Sequence, residues 1–231
     1  MTRLGPIVIA AACCGILAAP ASAKWYGSTM RATPNADFGC ETALINGPLG
    51  GVQRSPTNQA SCTYKHGGYL FSNRLTSLVP ATGRVTKIRI KSGPNPARVR
   101  LTVLTGSSRV DPFTGADQPG TYTCCTARYV SRPFRLKANK VTTKKVNVRV
   151  FNVRDKSLEL RIHSSDGLAL SFESGGTLPL HITPSVGSTN SGTPLLTGYW
   201  PRTGEGDPRV DGYSMPGIDL LFQWNFKRTR R

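Results

Sequence analysis

Basic side chains in this sequence recur at every second position, a spacing that suits the binding of an anion. The stretches 86–91 and 98–103 both show it, and a further cluster of basic residues follows between 137 and 149. Every second side chain of a β-strand points to the same face, so antiparallel pairing of the first two stretches would gather their cations on one solvent face. The predicted polyanion-binding residues are Lys87, Arg89, Lys91, Arg98, Arg100, Lys144, Lys145 and Arg149.

The overall charge supports the same chemistry. Thirty Lys and Arg stand against 12 Asp and Glu, for a formal net charge of +18. A charge of this size concentrates anionic partners around a protein. We expect an anionic cell-wall polymer or an acidic polysaccharide. Nucleic acid is less favoured, because it would want aromatic platforms between the charges and the basic stretches offer few. The alternative is a solvated sheet face that only keeps the protein soluble.

Catalytic signatures are absent from the sequence. There is no G-x-S-x-G elbow, P-loop or dinucleotide fingerprint. Glycan hydrolysis needs two carboxylates that flank the bond, and the acids are scattered. The sequence therefore favours a non-catalytic protein without a cofactor. A glycan-acting hydrolase or lyase stays open as an alternative, with its site near the segment 187–217, and clustering of Glu159, Glu173, Glu205 and Asp207 would favour it.

Residues 1–23 have the features of a secretory signal peptide. Arg3 supplies the positive charge, an apolar run covers 7–19, and Ala21-Ser22-Ala23 is a small-residue cleavage site. Later stretches are too short and polar to span a bilayer as a helix. We therefore expect a secreted protein, outside the cell or at its surface, whose mature chain is residues 24–231.

Four cysteines remain after that cleavage. Export leads to an oxidising environment, so two disulfides are expected among Cys40, Cys62, Cys124 and Cys125. A bond between the neighbours Cys124 and Cys125 would be strained, so pairing of each with Cys40 or Cys62 is slightly favoured. The competing pattern is Cys40–Cys62 with Cys124–Cys125. Paired C-x-x-C knuckles are absent, and no metal site is predicted.

Alternation of apolar and polar residues predicts the fold. Six clear runs of period two indicate strands with one buried and one wet face, and no window shows a helical period. Asp166-Gly167 is typical of a tight hairpin turn. Many short strands with Gly and Pro between them predict an all-β, antiparallel β-sandwich with a jelly-roll-like order, whose last strand returns to pair with early ones.

The chain divides into four segments on this interpretation. After the signal peptide, residues 24–75 form an irregular, disulfide-stapled part of the same domain, with one or two short strands near 63–71. Residues 76–226 form the sandwich core, which includes a long loop at 187–217. Residues 227–231 form a basic, disordered tail.

Several stretches resemble a family of secreted proteins from high-GC Gram-positive bacteria. The strand-like sequences GRVTKIRI at 83–90 and VRLTVL at 99–104 carry the resemblance, together with Thr123-Cys124-Cys125-Thr126, the valines of 146–150 and the closing DLLFQ at 219–223. The resemblance covers residues 60–226 and implies a secreted β-sandwich. It implies no activity and no functional residues. This chain departs from the pattern at Ile88, where an aromatic is usual, and in its basic tail.

The sequence thus predicts a secreted, non-catalytic module that binds an anionic cell-surface or extracellular polymer. Two alternatives remain, the extracellular hydrolase or lyase and a purely structural wall or matrix domain. A flat basic face would favour binding, and an even spread of charge would favour the structural role.

Overall fold

The computed structural model describes residues 23–46, 52–57, 59–69, 78–109, 123–154, 162–173, 175–183, 194–199 and 213–229. Within these ranges the chain forms fifteen strands and no helix. The strands are β1 Lys24–Gly27, β2 Thr42–Asn46, β3 Val52–Pro56, β4 Ser61–Tyr69, β5 Gly83–Lys91, β6 Val99–Arg109, β7 Thr123–Val130, β8 Val141–Val150, β9 Asn152–Arg154, β10 Ile162–Glu173, β11 Leu180–Ile182, β12 Pro194–Tyr199, β13 Tyr213–Pro216, β14 Ile218–Leu220 and β15 Phe222–Arg228.

Two antiparallel sheets make up most of the fold. The small sheet has the order β1-β15-β5-β8, and the large sheet has the order β13-β12-β4-β10-β6-β7, with β9 paired to β10. Two short ladders, β11-β14 and β2-β3, complete the described strands. The prediction of an all-β fold with packed antiparallel sheets is confirmed. The last strand does return to pair with the early strands β1 and β5, while the jelly-roll order stays a prediction.

Alternation along the strands places one core between the sheets. From the small sheet, Ile88, Ile90 and Trp224 are almost fully buried, and from the large sheet so are Leu101 and Phe172. All belong to one apolar cluster, as expected when the inner faces of two sheets interdigitate. Along β5 the inward positions are 85, 88 and 90, because a bulge between 85 and 87 shifts the alternation. Thr86, expected to face inward with the isoleucines, lies in that bulge.

β5 and β6 do not pair, contrary to expectation. β5 pairs with β15 and β8 in the small sheet, whereas β6 pairs with β10 and β7 in the large sheet. The connection between them, residues 92–98, thus crosses from one sheet to the other. Consecutive strands in a sandwich commonly change sheets, and strand periodicity alone does not reveal where they do so.

The predicted hairpin at Asp166-Gly167 is also wrong. β10 continues straight through these residues, and Asp166 is almost fully buried. Its carboxylate accepts hydrogen bonds from Arg128 Nη2, from Thr105 Oγ1 at 2.6 Å and from the backbone N–H of Phe151 at 2.7 Å. Phe151 separates β8 from β9, which belong to different sheets. Asp166 therefore fixes the corner where the chain passes between the sheets, and an ion pair between the buried Asp166 and the partly exposed Arg128 replaces the expected turn.

Three predicted irregular segments contain strands. The region 24–75 holds β1 to β4 rather than one or two strands. The predicted loop at 187–217 holds β12 and β13, which pair with each other, and β12 also pairs with β4. The predicted tail begins inside β15, because Lys227 and Arg228 pair with Arg84 and Gly83. Residues 1–22 and 230–231 lie outside the described residues.

The disulfide pattern corrects the favoured pairing. Cys40 bonds to Cys62, with a Cα–Cα distance of 5.4 Å, and the bond joins the N-terminal segment to β4. Cys125 is also disulfide-bonded. Its partner cannot be Cys40 or Cys62, and the side chain of Cys124 lies outside those described. The pairing of Cys40 and Cys62 was half of the competing pattern.

Candidate anion-binding surface

The small sheet carries positive charge without any negative charge. Its four strands contain no Asp or Glu. Their cations are Lys24, Arg84, Lys87, Arg89, Lys91, Lys144, Lys145, Arg149, Lys227 and Arg228. No carboxylate of this sheet can therefore neutralise its lysines and arginines, so the sheet is a candidate anion-binding surface.

Strand register brings six of these cations onto the outer face. Lys87 lies opposite Lys145, Arg84 lies opposite both Arg149 and Lys227, and Arg89 lies two positions beyond Lys87. All six are exposed, because the inner positions of the same strands belong to the core. We call the basic face the set Arg84, Lys87, Arg89, Lys145, Arg149 and Lys227.

Like charges directly opposite each other on a sheet reduce stability. The basic face has three such pairs, Lys87 with Lys145 and Arg84 with Arg149 and Lys227. Arg84 donates a hydrogen bond to Asn147 Oδ1 at 2.8 Å, which holds its guanidinium on this face without neutralising it. A bound anion would remove the repulsion, so the arrangement suits anion binding better than it suits the stability of the free protein.

The eight predicted binding residues separate into four groups. Lys87, Arg89, Lys145 and Arg149 lie together on the basic face. Lys91 shares that face but donates to the carbonyl oxygens of Met30 and Ala32, the latter at 2.7 Å. Lys144 lies opposite the buried Ile88, on the other side of the sheet, with its Nζ 4.5 Å from the centre of the Phe134 ring.

Arg98 and Arg100 are not part of this surface. Arg98 directly precedes β6 and Arg100 lies within it, and both form ion pairs with Glu173, at 3.6 Å and 3.2 Å. The expectation that they would lie beside Lys87 and Arg89 is wrong, because it required β5 and β6 to be neighbours. Their charge is partly balanced by Glu173, which leaves them less available to a ligand.

Sequence reasoning missed three residues of the surface. Arg84 falls before the bulge in β5, which hides its alternation, and Lys227 was assigned to the tail. Trp25 is the third, and it lies opposite Asn225, in the same row as Lys87 and Lys145. β1 is only four residues long, so it offers no periodic signal that could have placed Trp25 on this face.

A buried polar cluster lies elsewhere, where β1, β4 and β14 approach each other. Asp219 Oδ2 accepts a hydrogen bond from Ser28 Oγ at 2.8 Å, and Oδ1 lies 3.0 Å from His66 Nε2. The carboxylate sits between the other two groups, whereas a serine nucleophile needs the histidine beside its hydroxyl. All three residues are buried. The cluster therefore joins strands rather than presenting a nucleophile.

The clustering of carboxylates that would favour an enzyme stays a prediction, because one of the four lies among the described residues. Glu173 forms ion pairs with Arg98 and Arg100, while Glu159, Glu205 and Asp207 lie outside the described residues. No group of three or more His, Cys, Asp or Glu that could hold a metal ion occurs in the described ranges. The same ranges contain no helix with the length and hydropathy needed to cross a membrane.

Comparison with known proteins adds no relative. The chain matches no protein-family model, no curated protein and no solved structure. The resemblance to secreted proteins of high-GC Gram-positive bacteria therefore remains an expectation, and the function has to be argued from the surface itself.

Proposed function

We propose that this chain is a secreted, non-catalytic β-sandwich protein that binds an anionic cell-surface or extracellular polymer through the basic face. The observation that carries the proposal is the small sheet, whose outer face holds six exposed cations while its strands contain no acid. A polymer suits this surface better than a small anion, because the cations spread across three strands and do not converge on one point.

The disulfide supports the location outside the cell. Disulfides persist in oxidising compartments and are rare in the cytosol, so Cys40–Cys62 fits an exported protein. The predicted signal peptide at residues 1–23 gives the same location. An extracellular protein with a basic face would meet the acidic polymers of cell surfaces and matrices.

The uneven charge distribution argues against a purely structural role. A wall or matrix domain needs no surface free of acids, and opposed like charges lower its stability. In the described part of the large sheet, by contrast, Arg98, Arg100 and Arg128 each have a carboxylate partner. Of the two sheets, the small one has cations directly opposite other cations, which favours binding.

The test is a binding titration of residues 24–231 against a panel of polyanions and neutral glycans at rising salt. The variant Lys87→Gln, Arg89→Gln, Lys145→Gln removes three charges from the basic face. A matched control, Arg132→Gln, Arg135→Gln, Lys137→Gln, removes three exposed charges between β7 and β8. Both variants have the same net charge.

We expect the basic-face variant to bind a polyanion about 30-fold more weakly at 0.15 M salt. The slope of log affinity against log salt concentration should become shallower by about two. The control should lose only a small, general attraction. Equal losses in the two variants would mean that net charge alone attracts polymers. That result, or the absence of binding to any polyanion, would refute the proposal.

A further inference from the structure

Trp25 lies on the basic face, and its strand, β1, is held in place by contacts with the core. Its neighbour Tyr26 points to the core, where its ring stacks on Trp224 with centroids 4.8 Å apart. Successive side chains of a strand point to opposite faces, so the anchoring of Tyr26 turns Trp25 outward. Trp25 is partly exposed to solvent.

Arg89 holds the indole in place. Its guanidinium carbon lies 4.1 Å from the centre of the Trp25 ring, a close cation–π contact. The pair bridges β15, because Trp25 is on β1 and Arg89 is on β5. An aromatic surface and a cation are thus fixed side by side before any ligand binds, which lowers the entropy lost on binding.

We propose that the polymer bound by the basic face is an acidic polysaccharide. A sugar ring packs its C–H face on Trp25, and acidic groups of the same or neighbouring sugars bind Lys87, Arg89 and Lys145. This inference rests on the proposed function and names the class of polymer. The apolar face of a ring needs an aromatic partner to bury its area, and a charged substituent needs a cation within reach of that partner.

Two other anionic polymers fit the surface less well. A polyphosphate chain has no ring, so it would use the cations and leave Trp25 without a role. Single-stranded nucleic acid stacks successive bases on several aromatic side chains. The four strands of the small sheet place one aromatic side chain, Trp25, on the outer face, since Tyr26, Phe222, Trp224 and Phe226 belong to the core or pack against it.

The experiment compares Trp25→Ala and Trp25→Phe with the unsubstituted protein on three probes, namely polygalacturonate, inorganic polyphosphate and single-stranded DNA. We expect Trp25→Ala to weaken binding of polygalacturonate about fivefold, and to change binding of polyphosphate less than twofold. Trp25→Phe keeps a ring on the face and should retain most of the affinity for polygalacturonate. Thermal unfolding of both variants verifies that the fold is intact.

The outcomes separate this inference from the proposed function. If Trp25→Ala weakens both polymers equally, Trp25 acts only by positioning Arg89, and the polysaccharide inference is refuted. Tightest binding to DNA with dependence on Trp25 would refute it in favour of nucleic acid. If instead polyphosphate binds through Lys87, Arg89 and Lys145 while polygalacturonate is indifferent to Trp25, the polysaccharide inference fails and the proposed function stands. If the basic-face variant loses no affinity for any polyanion, both the polysaccharide inference and the proposed function are refuted.

Discussion

The two sheets of this sandwich differ in how their charged side chains are paired. In the large sheet, Asp166 is buried and bound by Arg128, and Glu173 lies between two arginines. In the small sheet, cations lie opposite cations and the strands contain no acid. Charge in the large sheet therefore holds strands and corners together, whereas the small sheet has no carboxylate in its strands to balance its cations. Net charge by itself would not have distinguished the two uses.

The largest expected effect comes from removing a charge that the large sheet uses. Asp166→Asn leaves the guanidinium of Arg128 without its carboxylate and weakens the bond to Phe151 at the corner between the sheets. We expect a loss of about 3 kcal/mol in the free energy of unfolding, measured by denaturant titration, because the buried carboxylate loses its charge-assisted hydrogen bonds. A loss below 1 kcal/mol would show that the ion pair contributes little to the corner.

The second effect concerns a lysine that is buried rather than displayed. Lys65 lies on β4, and its burial lowers its pKa to about 8. Between that value and the pKa of an unfolded lysine, the unfolded chain binds more protons than the folded one, so stability rises with pH. The stability of the protein relative to Lys65→Met should increase by about 2 kcal/mol from pH 7 to pH 10.

The prediction concerns the difference in stability between the unsubstituted protein and Lys65→Met. Groups other than Lys65 titrate over the same pH range, and their effects cancel in that difference. Denaturant titrations at pH 7, 8, 9 and 10 measure it. A difference in stability that stays constant with pH would mean that folding does not lower the pKa of Lys65.

The smallest effect probes the repulsion on the small sheet. Lys145→Glu places a carboxylate opposite Lys87 and converts a repulsive cross-strand pair into an attractive one. We expect a gain of about 0.5 kcal/mol in stability at low salt, which high salt should erase. The same variant should bind polyanions more weakly. A gain in stability together with a loss of binding would show that the basic face is maintained at a cost, and unchanged stability would contradict the role of repulsion.

The sequence predicts the local parts of this fold well. Alternation at 99–103, 146–150 and 222–226 identifies the apolar side chains that face the core, because burial on one face acts on every second residue. It misses Thr102 and Asn225, which lie on the opposite face and are buried as well. Sheet membership is a non-local property. No pattern within β5 or β6 reveals that one pairs with β8 and the other with β10, so Arg98 and Arg100 were placed beside the wrong partners.

The sequence did not predict the positions of Asp166 and Trp25, for a related reason. Asp166-Gly167 has the composition of a turn, but Arg128, 38 positions earlier, stabilises the aspartate inside a strand. Trp25 reaches the basic face because β1 pairs with β15, some two hundred residues later in the chain. Of the eight predicted binding residues, five share the outer face. Lys144 points to the other side because it directly precedes Lys145, and Arg98 and Arg100 lie elsewhere because β5 and β6 do not pair.

β8 forms an edge of the small sheet, since among the described strands it pairs only with β5. A long, regular edge strand is a template to which another chain can add by backbone hydrogen bonding, and it carries a risk of aggregation. Lys145 and Arg149 project beside this edge, and two approaching copies would bring their charges together. The cations proposed to hold a polymer would thus also keep the protein dispersed at high concentration. A polymer that neutralises them would remove that protection, so turbidity should be greatest near charge balance.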